Sequence, residues 1–99
     1  APVQVVVATI TGDTEGYAYK VKEALIKIGI RAEIDIRNEK IGYKVREHSS
    51  KKVPIIFVLG KNESSENSVA IRRLGYQGNE TMSMKDAIAV VKNEAKPPV

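Results

Sequence analysis

Two stretches of this chain are too apolar to leave either side in water: Val3-Gln4-Val5-Val6-Val7-Ala8-Thr9-Ile10 near the start and Val53-Pro54-Ile55-Ile56-Phe57-Val58-Leu59-Gly60 in the middle. A strand with one wet face alternates polar with apolar residues. These runs barely alternate, which is the pattern of strands covered on both faces of a mainly parallel sheet. The first is expected in the sheet interior, and Pro54 is tolerated at the first position of the second.

Between them the apolar period changes. Ala18, Val21, Ala24, Leu25 and Ile28 recur at three- and four-residue steps, one stripe of a helix that Asp13 or Thr14 can cap and Gly29 can end. Ala32-Glu33-Ile34-Asp35-Ile36 alternates and reads as a strand. Strand, helix and strand make a βαβ unit with parallel strands and a right-handed crossover. In a second helix, Ile41, Val45 and His48 share one face while Lys40, Lys44, Glu47 and Lys51 take the other, so its cations are expected in solvent. Gly42 inside it costs about 1 kcal/mol relative to Ala, which points to a close approach by another element or a ligand.

Beyond the second apolar run, Lys61-Asn62-Glu63-Ser64-Ser65-Glu66-Asn67 reads as a polar loop and Ser68–Arg73 as a strand. Gly75 to Asn79 reads as a turn, and Glu80-Thr81-Met82 as a short antiparallel edge strand. Ser83-Met84-Lys85-Asp86 resembles a capping box opening a last helix, with Met84, Ala87, Ile88 and Val91 as its buried stripe. The order β α β α β β β α describes one α/β domain over residues 1–99, a mixed, partly parallel sheet of about five strands flanked by three helices.

Composition excludes several functions. No run approaches the roughly 20 apolar residues of a membrane span. With no cysteine and a single histidine, neither a disulfide framework nor a thiolate or zinc site is available. Nothing at the N-terminus resembles a signal peptide, which makes the cytoplasm the expected compartment. The chain opens directly on Ala1-Pro2-Val3, as a piece of something longer would. No catalytic constellation can be assembled: Ser49 and Ser50 lie beside His48 but point away from it on a helix, and Thr11-Gly12-Asp13-Thr14-Glu15-Gly16 carries two acids where a phosphate loop needs none.

Charge is concentrated. Arg37, Lys40, Lys44, Arg46, Lys51 and Lys52 face only Glu39 and Glu47 within 37–52, and the rest of the chain balances at ten cations and ten anions. Such a field attracts nucleic acid or another anionic surface. Guanidinium forks at Arg37 and Arg46, an amide at Asn38 and a ring at Tyr43 are groups that bond base edges and stack on unpaired bases. Each also has a plainer role. The cations can solvate a helix, Asn38 can cap it, Tyr43 can pack at a rim, Glu63 can be solvated filler, and His48 can be a hydrogen-bonded boundary residue. Arg72 and Arg73 are strand neighbours, so only one of them can face the basic helix.

The run Asp35-Ile36-Arg37-Asn38-Glu39-Lys40-Ile41-Gly42-Tyr43-Lys44-Val45-Arg46-Glu47-His48 resembles the signature of the C-terminal anticodon-binding domain of bacterial threonyl-tRNA synthetases, which are class II aminoacyl-tRNA synthetases. Ala1-Pro2-Val3-Gln4-Val5-Val6, Val53-Pro54 with Leu59-Gly60, and Val69-Ala70-Ile71-Arg72 extend the resemblance over essentially the whole chain. It departs from the family pattern at Lys61, at Asn67 where glycine is usual, and in Gly75-Tyr76-Gln77-Gly78-Asn79.

The resemblance implies a non-catalytic domain that grips the anticodon of threonine tRNA, whose second and third anticodon bases are G and U. Asn38, Arg46, Glu63 and Arg72 would contact those bases. Arg37, Lys40, Tyr43, Lys44 and Arg73 would contribute backbone or stacking contacts. It further implies an upstream catalytic domain, absent here, that uses ATP, magnesium and zinc to join threonine to tRNA, and a homodimeric, cytoplasmic full-length enzyme. A different use of the same fold, as a stand-alone accessory or protein-interaction module, is the alternative expectation.

Overall fold

The computed structural model describes residues 3–10, 12–37, 39–73 and 80–94. Both apolar runs form fully buried strands, β1 (Val5–Thr9) and β3 (Ile55–Leu59). They pair in parallel, from Val5 opposite Ile55 to Thr9 opposite Leu59. On the other side of β1 lies β2 (Ala32–Asp35), also parallel, with Val5 opposite Ala32 and Ala8 opposite Asp35. β4 (Ser68–Arg73) runs antiparallel to β3, and β5 (Glu80–Ser83) antiparallel to β4, which gives the order β2-β1-β3-β4-β5. β1 is interior and β5 is an edge, as read from the sequence.

Alternation along these strands divides the core. Val5, Val7, Phe57, Leu59, Val69 and Ile71 point to one face, which α1 (Glu15–Lys27) and α4 (Met84–Glu94) cover with Val21, Leu25, Ala87 and Val91. Val6, Ala8, Ile56, Val58 and Ala70 point to the other, where α2 (Ile41–Ser50) packs through Ile41 and Val45.

Local chemistry sets the helix ends. α1 is preceded by a 3-10 turn, Gly12–Thr14. Thr14 takes the N-cap position without a side-chain cap; its hydroxyl donates to the Leu59 carbonyl at 3.4 Å. At the other end Gly29 adopts φ 87°, its N–H donates to Ile26 O and that of Ile30 to Leu25 O, the paired bonds of a Schellman stop. Leu25 and Ile30 are both buried in the core, adding the apolar contact that accompanies this motif. Ser83 Oγ accepts from the Asp86 N–H at 3.1 Å at the start of α4, and the expected stripe of that helix is the one that packs.

The segment expected as a polar loop is instead α3 (Lys61–Glu66), so four α-helices, not three, accompany the sheet among the described residues. Lys-Asn-Glu-Ser-Ser-Glu has no apolar stripe, so no periodicity announces it. It is held at its ends. Glu63 Oε1 accepts the Gly60 N–H at 2.7 Å, and Asn67 closes the helix in the left-handed region at φ 53°. Asparagine tolerates that region better than other residues with a Cβ, which accounts for Asn67 at a position where glycine is usual. The expected turn at Gly75 to Asn79 lies outside the described residues. Asn67→Val, β-branched in a left-handed position, is expected to cost about 1–2 kcal/mol, while Asn67→Gly leaves stability nearly unchanged; urea unfolding of both variants checks this.

Candidate nucleic-acid interface

α2 seats itself on the sheet through positions 41, 44, 45 and 48, a full i, i+3, i+4, i+7 stripe in which the second member is a lysine. Lys44 is 1% exposed. Its Nζ donates to the Thr9 carbonyl at 2.7 Å and lies 3.4 Å from both Thr9 Oγ1 and the Asp35 carbonyl. This corrects the expectation that Lys44 stands with Lys40, Glu47 and Lys51 on the solvent face. Its apolar stem fills the stripe, while carbonyls at the C-terminal ends of β1 and β2 replace the water its ammonium gives up. Lys44 is therefore not displayed to a phosphate. Burial pushes its pKa down, against the opposing pull of the Asp35 carboxylate.

Asp35 ends β2 nearly buried and gathers the neighbouring charges. Arg37 grips it with a fork, Nε to Oδ1 at 2.9 Å and an Nη to Oδ2 at 2.8 Å, and the Arg37 N–H adds a bond to Oδ1 at 3.2 Å. His48 Nε2 lies 2.7 Å from Oδ2, which makes it the hydrogen-bonded boundary histidine foreseen in the sequence. Burial alone would raise the Asp35 pKa, but the hydrogen bonds from Arg37 and His48 and the Arg37 charge outweigh it and hold the carboxyl far below the usual range.

The same guanidinium reaches Glu47 at 2.9 Å, and Glu47 also meets Lys51 at 3.7 Å. Arg37 is thus doubly paired, with Cζ 5.9 Å from the centroid of the Tyr43 ring. That ring is 52% exposed, so it has surface left for stacking. A shallow pocket of about 310 Å³ opens beside this network, lined by Asp35, His48, Arg37, Glu47 and Lys51 among others.

Strand alternation separates the two arginines of β4. Arg72 lies opposite Ile56 and two residues from Ala70, on the face that α2 covers; Arg73 lies opposite Ile55 on the other face, where it pairs with Glu80 at 3.1 Å. Arg46 is exposed on α2, on the flank turned away from the contacts that Lys44 and Glu47 make with β2 and Arg37. Arg46 and Arg72 therefore share one side of the sheet. Neither side chain has a hydrogen-bond or ion-pair partner among the described residues, in contrast to Arg37 and Arg73.

Two of the remaining expected site residues, Lys40 and Glu63, follow the C-terminal ends of β2 and β3, both parallel to β1. Glu63 stands at the C-terminal end of β3, with one oxygen capping α3. Lys40 is exposed at the N-cap of α2, and Asn38 lies outside the described residues. Among the described residues no other element approaches Gly42, where an added Cβ would meet no atom within 4 Å, so of the two expected reasons for this glycine the approach of another element is not found. Sequence reasoning missed the role of Asp35 altogether. It had the signal for Lys44, whose spacing from Ile41, Val45 and His48 is that of an inward residue.

Because the Asp35 pKa is depressed by folding, its carboxylate stabilises the fold above the unfolded value near 4, and that contribution drains away as pH falls through the folded value. Asp35→Asn is expected to cost about 1.5–3 kcal/mol at pH 7. Urea unfolding of both proteins should show the gap narrowing as the pH drops below about 4.

Residues 4–94 match the model of a family described as "Anticodon binding domain". The chain is 56% identical over 98 residues to a threonine–tRNA ligase of Caulobacter sp. strain K31 and 57% identical over 98 residues to that of Parvibaculum lavamentivorans, in each case covering 99% of this chain and 15% of the relative. It thus spans about a seventh of the curated relatives it matches. In fold it superposes on the RNA binding domain of threonyl-tRNA synthetase from Cryptosporidium parvum with a TM-score of 0.88 at 24% identity, covering 94% of this chain and 24% of that one. A prolyl-tRNA synthetase from the same organism gives 0.83 at 25% identity, covering 95% and 21%. With the family match running over nearly every residue of the βαβ core, α2 and the β4–β5 pair, the chain belongs to the anticodon-binding domain family, of the kind carried by threonine–tRNA ligases.

Proposed function

We propose that this domain reads the anticodon of threonine tRNA on behalf of a threonyl-tRNA synthetase. The observation that carries the reading is the pair of guanidinium groups, Arg46 and Arg72, that lie on one side of the sheet without a protein partner among the described residues. A guanidinium fork can donate two hydrogen bonds to a guanine edge or reach uracil carbonyls, which suits the G and U of that anticodon. The second carboxylate oxygen of Glu63 accepts from guanine amino and imino groups, and Asn38 bonds either base. The Tyr43 ring offers a stacking surface, with Arg37 behind it. Exposed Lys40, Lys51 and Lys52 take the flanking phosphates in place of buried Lys44.

In this reading the chain performs no chemistry. Activation of threonine, with its ATP, magnesium and zinc, is the work of a catalytic domain elsewhere in a homodimeric cytoplasmic enzyme, and this domain raises the residence of the correct tRNA. No helix among the described residues is long and apolar enough to cross a membrane.

A bidentate base contact discriminates by about 1–3 kcal/mol. Arg46→Ala and Arg72→Ala are each expected to lose about tenfold or more in affinity for a stem-loop bearing the threonine anticodon, with little change for one carrying other bases at the second and third positions. Filter binding of both RNAs checks this; equal losses on the two would count against base reading.

A further inference from the structure

Lys44 was expected among the RNA contacts, yet its side chain is fully buried. A salt bridge is not what holds it there. Its nearest partners are carbonyls of two different strands, Thr9 O at the end of β1 at 2.7 Å and Asp35 O at the end of β2 at 3.4 Å, joined by Thr9 Oγ1. These bonds tie the first turn and a half of α2 to the sheet where the connection 36–40 leaves it. Around that root the Asp35 carboxylate holds Arg37 and His48, and Arg37 holds Glu47.

We propose that Lys44 is a positioning residue for anticodon reading: its ammonium, bound to the ends of β1 and β2, sets how α2 sits on the sheet and so aims Arg46 and the Arg37–Tyr43 pair at the RNA without touching it. This rests on the anticodon reading above and adds to it a residue whose effect on specificity is indirect. Four methylenes carry the charge from the helix to the strand ends. A neutral side chain of the same length would fill the stripe but leave those carbonyls without their donor, so α2 would keep its ties to β2 through His48–Asp35 and Arg37–Glu47 and lose its bond to the end of β1.

The test compares the wild-type chain with Lys44→Met, which keeps the stem, on a stem-loop bearing the threonine anticodon and on one with its second and third bases replaced. The expected result is a folded variant whose preference for the first RNA falls about tenfold, with amide and Arg side-chain NMR signals displaced in residues 36–46 before RNA is added. The chain has no cysteine, so Lys44→Cys can be alkylated with 2-bromoethylamine in denaturant and refolded. The aminoethyl thioether rebuilds the lysine and should restore both the preference and the spectrum. A variant with full preference makes Lys44 a stability residue only and overturns the proposal, as does an equal loss on both RNAs. If Lys44→Met does not fold, Lys44→Gln and the unalkylated Lys44→Cys give the same comparison. If wild type itself shows no preference, the anticodon reading fails; the positioning role is then decided by whether the RNA-free spectrum of the variant departs from wild type over 36–46.

Discussion

An ammonium buried against strand ends has to find acceptors, and in this fold the acceptors are carbonyls of β1 and β2 just where those strands run out of partners. The seat of α2 on the sheet depends on those bonds. The helix is anchored by Ile41 and Val45, whose packing is non-directional, and by Lys44 and His48, whose bonds to the ends of β1 and β2 are directional. Hydrophobic contact says that a helix lies on the sheet; the hydrogen bonds say where along the sheet it lies.

The charges of the basic segment are divided by this arrangement into two groups with different fates. Lys44, Arg37, Asp35, His48 and Glu47 satisfy one another or the backbone, and several of them are partly or wholly removed from solvent. Arg46, with Lys40, Lys51 and Lys52, stays at the surface, and Arg72 reaches the same side from β4. Net positive charge attracts polyanions in general, whereas guanidinium forks without a protein partner, as those of Arg46 and Arg72 are among the described residues, are groups able to tell one base from another. A paired arginine would have to break existing bonds before it met a base, and Arg73, on the far face with Glu80, is such a one.

Glu63 and Asn67 show how a small domain presents a polar residue on a helix with no apolar stripe. α3 is one and a half turns long and contributes no fully buried side chain. It persists because one end is capped by its own carboxylate and the other stops in a left-handed asparagine, and because Gly60 has no Cβ: one added there would lie 2.8 Å from the capping oxygen of Glu63 and 3.0 Å from Ile10. Glycine at 60 thus makes room for the glutamate that fixes the first turn.

By itself the sequence determined the layers. Two doubly buried strands, an amphipathic stripe in α1 and α4, a left-handed glycine after α1 and strand alternation at Arg72 and Arg73 are local patterns, and local patterns survive into the fold because periodicity and backbone sterics act over a few residues. The anticodon-binding family was legible for a related reason, since its signature is a continuous run. Only the tertiary structure decided which cations are spent inside. Whether Lys44 faces water or carbonyls depends on strand ends 9 and 35 residues away in sequence, which no helical wheel contains, and whether Lys61 to Glu66 is loop or helix depends on caps rather than on a stripe.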